Sequence, residues 1–579
     1  MDTAEHRADA LDQQVHAALA RHFSSVSPAS AVLALADWSM HLAASPGKQM
    51  ALGQLALGNA ARLAEYLREC IAAGPGEAQD GIEPPAQDRR FSAPEWRQWP
   101  FNLWHQSFLL GQQWWESATH GVRGVEPHHT DLVAFWTRQW LDTLSPGNQL
   151  PTNPVVLRRT LDEGGDNLVR GVSNLLDNLR RRQADLPPAG TEAFVTGRDV
   201  ATTPGKVVLR NRVMELIQYA PATGKVHPEP ILVVPAWIMK YYILDLSPHN
   251  SLIGYLVGQG HTVFCISWKN PGEAERDLGM DDYLDLGMDA ALTAINAIVP
   301  GRKVHGVGYC LGGTLLSIAA AAMARDGDDR LATVTLLAAQ TDFAEPGELA
   351  LFIDQSQVSL LEAQMQETGY LTAAQMAGAF QMLRSYDLLW SQLVNEYLLG
   401  ERRPMNDLMA WNADATRMPA TMHSQYLRRL YLDNDLSSGR YPVKGRPVEL
   451  NDIAVPVFSV GTVTDHVAPW RSVYKIHQQL VGEITFVLTS GGHNAGIVSE
   501  PGHPHRQYQV LTRQAGAASL SADDWLQQAP MQQGSWWLQL SDWLKAHSSA
   551  TTVAPPGLGA PAKGYETLAD APGHYVLEP

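Results

Sequence analysis

Cysteine is scarce: the 579 residues hold only Cys70, Cys265 and Cys310. Thiols so few and so scattered make neither a disulfide framework nor a zinc site, and they fit a reducing cytoplasm. Long apolar runs are missing as well. No uncharged stretch approaches the roughly 20 residues that a membrane-spanning helix needs. Met1-Asp2-Thr3-Ala4-Glu5-His6 lacks a basic region leading into an apolar core, so no secretory leader is expected. Positive charge is in deficit, with 43 Lys and Arg against 60 Asp and Glu and a net charge of −17. That balance argues against a nucleic-acid binder, and it obliges an anionic substrate to find a local basic pocket. What the chain does have is 45% hydrophobic content over a length sufficient for a large core and more than one structural unit.

Residues 1–85 read as an N-terminal extension, helical in part and disordered in part, with residues 1 to about 25 loosely held. A Gly/Pro/Gln/Asp-rich linker follows over 73–90. Residues 86–190 read as a helical domain carrying Trp96, Trp99, Trp104, Trp114, Trp115, Trp136 and Trp140. Tryptophans at such spacing fill a helical core more often than they make an amphipathic surface for a partner or lipid-like phase. After Pro187-Pro188 the pattern changes. A hairpin is expected over 207–209 and 214–219, then strands at 231–234, 262–268, 332–337, 455–460 and 484–488 with helices between them. Ile231-Leu232-Val233-Val234 is apolar throughout, as in a parallel sheet covered on both faces. The alternation predicts a doubly wound, mostly parallel sheet over 191–342 and 451–579. A helical, aromatic-rich insertion interrupts it over 343–450, in the place of a cap or lid subdomain.

The chemistry centres on Gly308-Tyr309-Cys310-Leu311-Gly312. A β-branched run precedes Cys310 and strong helix formers follow it, which makes this a strand-turn-helix nucleophile elbow of the α/β-hydrolase fold, with Cys in the Ser position. A Cβ at Gly308 or Gly312 is expected to collide with the neighbouring strand and helix. The Leu311 N–H, at the new helix start, would face a developing oxyanion. The bland reading, a small buried apolar residue beside a Gly-rich turn, leaves both glycines and the strand-helix context unexplained. In this fold the acid and the histidine follow the nucleophile in that order. Asp465 comes just after one late strand, and His493 lies in a Gly-rich turn after the last. His493 would take the thiol proton while Asp465 orients the ring. Against these stand Asp465 as a helix N-cap before Pro469-Trp470 and His493 as a turn residue. His466 suits a pocket wall better than a base. A Cys nucleophile forms a thioester, so acyl groups arriving as thioesters transfer almost isoenergetically. That favours a thiol-linked donor such as acyl-CoA over simple ester hydrolysis.

At these residues the sequence resembles the polyhydroxyalkanoate synthases of the single-subunit, class I kind. The likeness extends to Pro235-Ala236-Trp237-Ile238-Met239-Lys240, to Ser267-Trp268-Lys269-Asn270-Pro271, to Trp411-Asn412-Ala413-Asp414-Ala415-Thr416, to Asp465-His466-Val467-Ala468-Pro469-Trp470 and to Gly534-Ser535-Trp536-Trp537. It covers roughly residues 86 to 579; the first 85 match nothing among these motifs. The resemblance implies polymerisation of (R)-3-hydroxyacyl-CoA into a polyester with release of CoA, and no cofactor or metal. Cys310 would carry the growing chain, His493 would activate it, and Asp465 would help deprotonate the incoming 3-hydroxyl. The backbone N–H of Ile238 would join that of Leu311 as oxyanion donors, and Trp411 would stand with His466 at the pocket. It further implies a homodimer on the surface of cytoplasmic granules. Two positions depart from the family pattern: Met239, where Asn is usual, and Asn494, where an apolar residue is frequent. A cysteine hydrolase of the dienelactone-hydrolase, depolymerase or thioesterase kind is the alternative, and a non-catalytic granule anchor is a third. Of the cap arginines Arg384, Arg402 and Arg403, each is more simply a solvated charge than a ligand for CoA phosphates.

Overall fold

The computed structural model describes Val15 and residues 27–73, 81–82, 84, 88–383 and 385–579. The expected loose segment at 1–25, much of the linker over 73–90 and Arg384 therefore lie outside the described residues. Two compact units emerge. One comprises Phe23–Ala189 together with Gly378–Pro404, and the other Met1–His22 and Gly190–Ala377 with Met405–Pro579.

In the helical unit, Pro28–Ala43, Pro46–Ala73, Phe101–Thr119, Pro127–Leu144, Pro154–Asp162 and Asp166–Gln183 are α-helices. Four of them begin on proline, whose fixed φ suits the first turn and whose missing N–H is not needed there. The side chains of Ser27, Glu126 and Asn153 cap three of those starts. The tryptophans divide between core and surface: Trp96 is buried, while Trp99 is 73% and Trp140 53% exposed. The last helix is turned against its own hydrophobic pattern. Val169, Val172, Leu176 and Leu179 face outward, whereas Asn167 and Gly171 are buried. The buried face packs on Leu393–Leu398. Asn167 Nδ2 donates to Leu398 O at 2.8 Å, and a Cβ on Gly171 would fall 1.9 Å from Tyr397 O. Arg402 completes this contact, paired with Asp177 at 2.8 Å and Glu396 at 2.6 Å. Residues 378–404 thus leave the expected 343–450 insertion and belong with the helices, and Arg402 is a structural cation rather than a solvated one.

The second unit is built on an eleven-stranded sheet. Its strands are β1 (Gly205–Arg210), β2 (Met214–Tyr219), β3 (Ile231–Val234), β4 (Val263–Trp268), β5 (Val304–Tyr309), β6 (Leu331–Leu337), β7 (Val457–Thr462), β8 (Ile484–Thr489), β9 (Gln507–Arg513), β10 (Met531–Gln533) and β11 (Ala569–Asp570). Across the sheet the order is β10-β9-β8-β7-β6-β5-β3-β4-β2-β1-β11. The six strands from β8 to β4 are parallel, and the flanking strands are antiparallel. Burial explains the apolar runs, because β3, β4, β5, β7 and β8 are buried along their whole length. The elbow strand β5 occupies the centre. The outer strands β9, β10 and β11 go beyond the strands expected from the sequence. No helix among the described residues is long and apolar enough to cross a membrane.

Candidate active site

Cys310 sits between β5 and the helix Leu311–Asp326 with φ 51° and ψ −124°. For a residue with a Cβ this is a strained conformation, costing about 1–3 kcal/mol and held only by over-determined surroundings. The glycines supply that hold. A Cβ on Gly308 would fall 2.4 Å from Gly313 Cα, in the helix, and one on Gly312 would fall 2.0 Å from Val234 O, at the end of β3. Both collisions expected from the sequence are present, and they are with backbone. Gly313 adds a third close approach, 2.4 Å from Ala339 Cβ. The Cys310 N–H donates to Leu337 O of β6 at 2.9 Å, which pins the turn on its other side. The thiol is free and half-buried.

Asp465 follows β7 and its carboxylate is fully buried. Oδ1 accepts from the N–H groups of Val467 at 2.9 Å and Ala468 at 2.8 Å, while Oδ2 accepts from Thr462 Oγ1 at 2.9 Å. The same Oδ2 lies 2.8 Å from His493 Nδ1. Asp465 therefore organises its own turn and also reaches the histidine. The N-cap of the following helix is Pro469, not Asp465. His493 stands in the turn after β8, and Cys310 is among the groups that act on its ring. Burial pushes the imidazole toward its neutral form, but the Asp465 carboxylate and negative charge at Cys310 outweigh it and hold His493 well above the usual histidine range. Burial likewise works to raise Asp465, and His493, the Ala468 N–H and the Thr462 hydroxyl together hold it below the usual carboxylate range.

The loop after β3 is fastened from several sides. Trp268 Nε1 donates to Pro235 O at 2.8 Å, Thr416 Oγ1 to Trp237 O at 3.1 Å and Trp411 Nε1 to Lys240 O at 2.8 Å. Met239 makes a backbone bridge with Ala415. Trp411 is buried and braces this loop. His466 is half exposed and turns its ring toward Glu348 at 3.5 Å. The Asn494 departure has a partner, because its Oδ1 accepts from the buried Tyr309 hydroxyl at 2.6 Å. That tyrosine ring lies 5.7 Å from the His493 ring. Sequence reasoning missed Tyr426 and Tyr431 of the insertion: Tyr426 belongs to the apolar cluster against which Tyr431 and Cys310 pack.

A central parallel strand that ends in an elbow, with an acid and a histidine after later strands, defines an α/β-hydrolase architecture, and residues 229–500 match the family model described as alpha/beta hydrolase fold. Residues 87–256 match the model of the poly-beta-hydroxybutyrate polymerase (PhaC) N-terminus, and residues 6–48 that of the poly-beta-hydroxybutyrate polymerase N terminal. The second match lies where the motifs gave no likeness. A poly(3-hydroxyalkanoate) polymerase of Methylorubrum extorquens is 43% identical over 86% of this chain and 81% of its own length. The poly(3-hydroxyalkanoate) polymerase subunit PhaC of Cupriavidus necator is 36% identical over 88% of this chain and 86% of its own. The chain belongs to the poly(3-hydroxyalkanoate) polymerase family, a family of acyltransferases.

Proposed function

We propose that this protein polymerises (R)-3-hydroxyacyl-CoA through a thioester on Cys310, with His493 as proton carrier and Asp465 as its orienting partner. The observation that carries the reading is His493 itself, bonded to the buried Asp465 through Nδ1 and raised by both Asp465 and Cys310. The Cys310 sulfur attacks the thioester carbonyl. The carbon–sulfur bond to CoA breaks, and the CoA thiolate takes the proton held by His493. The hydroxyl of the next acyl unit then attacks the Cys310 thioester, its proton passes to His493, and an ester bond replaces the thioester. The thiolate returns. The N–H groups of Leu311 and Ile238 are proposed to stabilise the oxyanion in both steps: Leu311 opens a 16-residue helix, where an N–H has no carbonyl one turn back. Because the Asp465 carboxylate is fully buried, its help in deprotonating the 3-hydroxyl passes through His493.

The same reading places the protein as a homodimer at the surface of cytoplasmic polymer granules. The outward apolar residues Val169, Val172 and Leu179 of the helical unit support a surface that meets an apolar phase. The test of the chemistry is purified protein with (R)-3-hydroxybutyryl-CoA, following free thiol and insoluble polymer together. Thiol with polymer is expected, and Cys310→Ala should abolish both. Thiol with free acid alone would make the protein a cysteine hydrolase, and neither product would leave only an anchor.

A further inference from the structure

Tyr426–Leu432 is a π-helix, a rare turn that recurs at functional sites. Its consequence is the juxtaposition of Tyr426 and Tyr431. Side chains five apart in an α-helix point about 140° away from each other. In the wider turn they share a face, with ring centroids 5.2 Å apart and the Tyr426 hydroxyl donating to that of Tyr431 at 3.0 Å. Because Tyr426 spends its hydrogen on its neighbour, Tyr431 keeps its own O–H to donate, and Tyr426 keeps oxygen lone pairs to accept.

The pair is braced from two sides. The Tyr426 ring stands edge-on to Trp237 at 6.5 Å, and Trp237 immediately precedes the proposed oxyanion donor Ile238. Phe343 holds the Tyr431 ring at 4.9 Å. Tyr426 and Trp237 are buried in one apolar cluster, against which Tyr431, Ile238 and Cys310 pack. Burial, followed by the charge of neighbouring groups including Cys310, raises Tyr426 well above the ordinary phenol range, so it stays a neutral hydroxyl. Two hydroxyls set in an otherwise apolar cluster against which the nucleophile packs have no role in holding a plain alkyl chain. They suit an acyl chain that carries an oxygen of its own. We infer that Tyr426 and Tyr431 are specificity-determining residues that hydrogen-bond the oxygen on the third carbon of the acyl unit at Cys310. This rests on the acyl-transfer reading above. A site built to bond a hydroxyl discriminates strongly against the analogue that lacks it.

The experiment compares CoA release from (R)-3-hydroxybutyryl-CoA and from butyryl-CoA in single turnovers of wild type, Tyr431→Phe and Tyr426→Phe. Tyr431→Phe should cut kcat/KM for the hydroxyacyl thioester by roughly tenfold and leave butyryl-CoA within about twofold, so the preference collapses. The retained butyryl rate shows that the variant is folded and its nucleophile intact. Equal losses on both substrates, or a preference unchanged in both variants, overturn the assignment. If the wild type releases CoA from neither thioester, acyl transfer itself is wrong and the pair's role goes with it.

Discussion

Gly312→Ala is the sharpest test of how the elbow is held. The new methyl carbon would stand 2.0 Å from Val234 O and 2.5 Å from Pro235 O. Optimal non-bonded contact lies near 3.5 Å, so something must retreat by roughly 1.5 Å. Neither obstacle is a side-chain tip. Val234 closes a strand paired on both sides, and Pro235 O is already bonded to the Trp268 indole. Retreat therefore moves either the loop of Ile238 or the helix that begins at Leu311, the two proposed sources of oxyanion donors. Overpacking of this kind costs roughly 1–3 kcal/mol of stability or more, and a misplacement of about 1 Å at the chemistry costs about 100-fold in rate. Urea midpoints and CoA release from (R)-3-hydroxybutyryl-CoA measure the two effects. Gly258→Ala is the control: that helical glycine has nothing within 4 Å of the added carbon, and the change should be neutral to stabilising. Gly312→Ala protein with wild-type stability and wild-type kcat would show that the close approach does not hold the turn.

Three other perturbations separate the supports of the site. Asn494→Leu leaves the buried Tyr309 hydroxyl without its 2.6 Å acceptor and should cost about 1–3 kcal/mol, most of which Tyr309→Phe in the same chain restores; additive losses in that double-mutant cycle would deny the coupling. Deletion of Tyr575–Pro579 removes the acceptors of the buried Lys240 ammonium, of Asn270 at 2.6 Å and of Arg417 at 2.7 Å, beside the loop that carries Ile238. It should lower the urea midpoint and kcat, with Lys240→Met recovering part of the stability, and an unchanged midpoint refutes the tail as a strap. Asp465→Asn tests the charge pair by pH. Asp465 is lowered, so its contribution is present above the unfolded carboxylate value near 3.9 and fades as acid protonates the folded carboxylate; His493 is raised, so its contribution is complete below about 6.5 and fades as pH rises through the folded value. The wild type's advantage in urea midpoint should therefore peak between about pH 4 and 6.5, and a difference flat up to pH 9 would contradict the shifts.

Where the sequence spoke clearly, the physics was local or the burial two-sided. β3, β5 and β8 read as strands because sheets covered on both faces demand uninterrupted apolar runs. Gly308, Cys310 and Gly312 read as an elbow because two backbone contacts each exclude a Cβ, and no other residue type satisfies them. The losses have equally specific causes. The helix Asp166–Gln183 buries Asn167 and Gly171 and presents Val169 and Val172 outward, so its periodicity points to the wrong face. Its true partner, residues 393–398, is chosen by amide hydrogen bonds that no hydrophobic pattern encodes, and the expected 343–450 insertion was divided for that reason. β11 has only two residues, and β9 is recognised by pairing with β8 more than by composition. Tyr426 and Tyr431 escaped notice because their spacing of five means nothing on an α-helix and acquires meaning only in the wider turn. Asn494 shows the same dependence on context from the other side. Read alone it is a departure from a pattern; opposite Tyr309 it is the acceptor that lets a phenol be buried at the elbow strand's last position, so the two positions are one feature and should vary together.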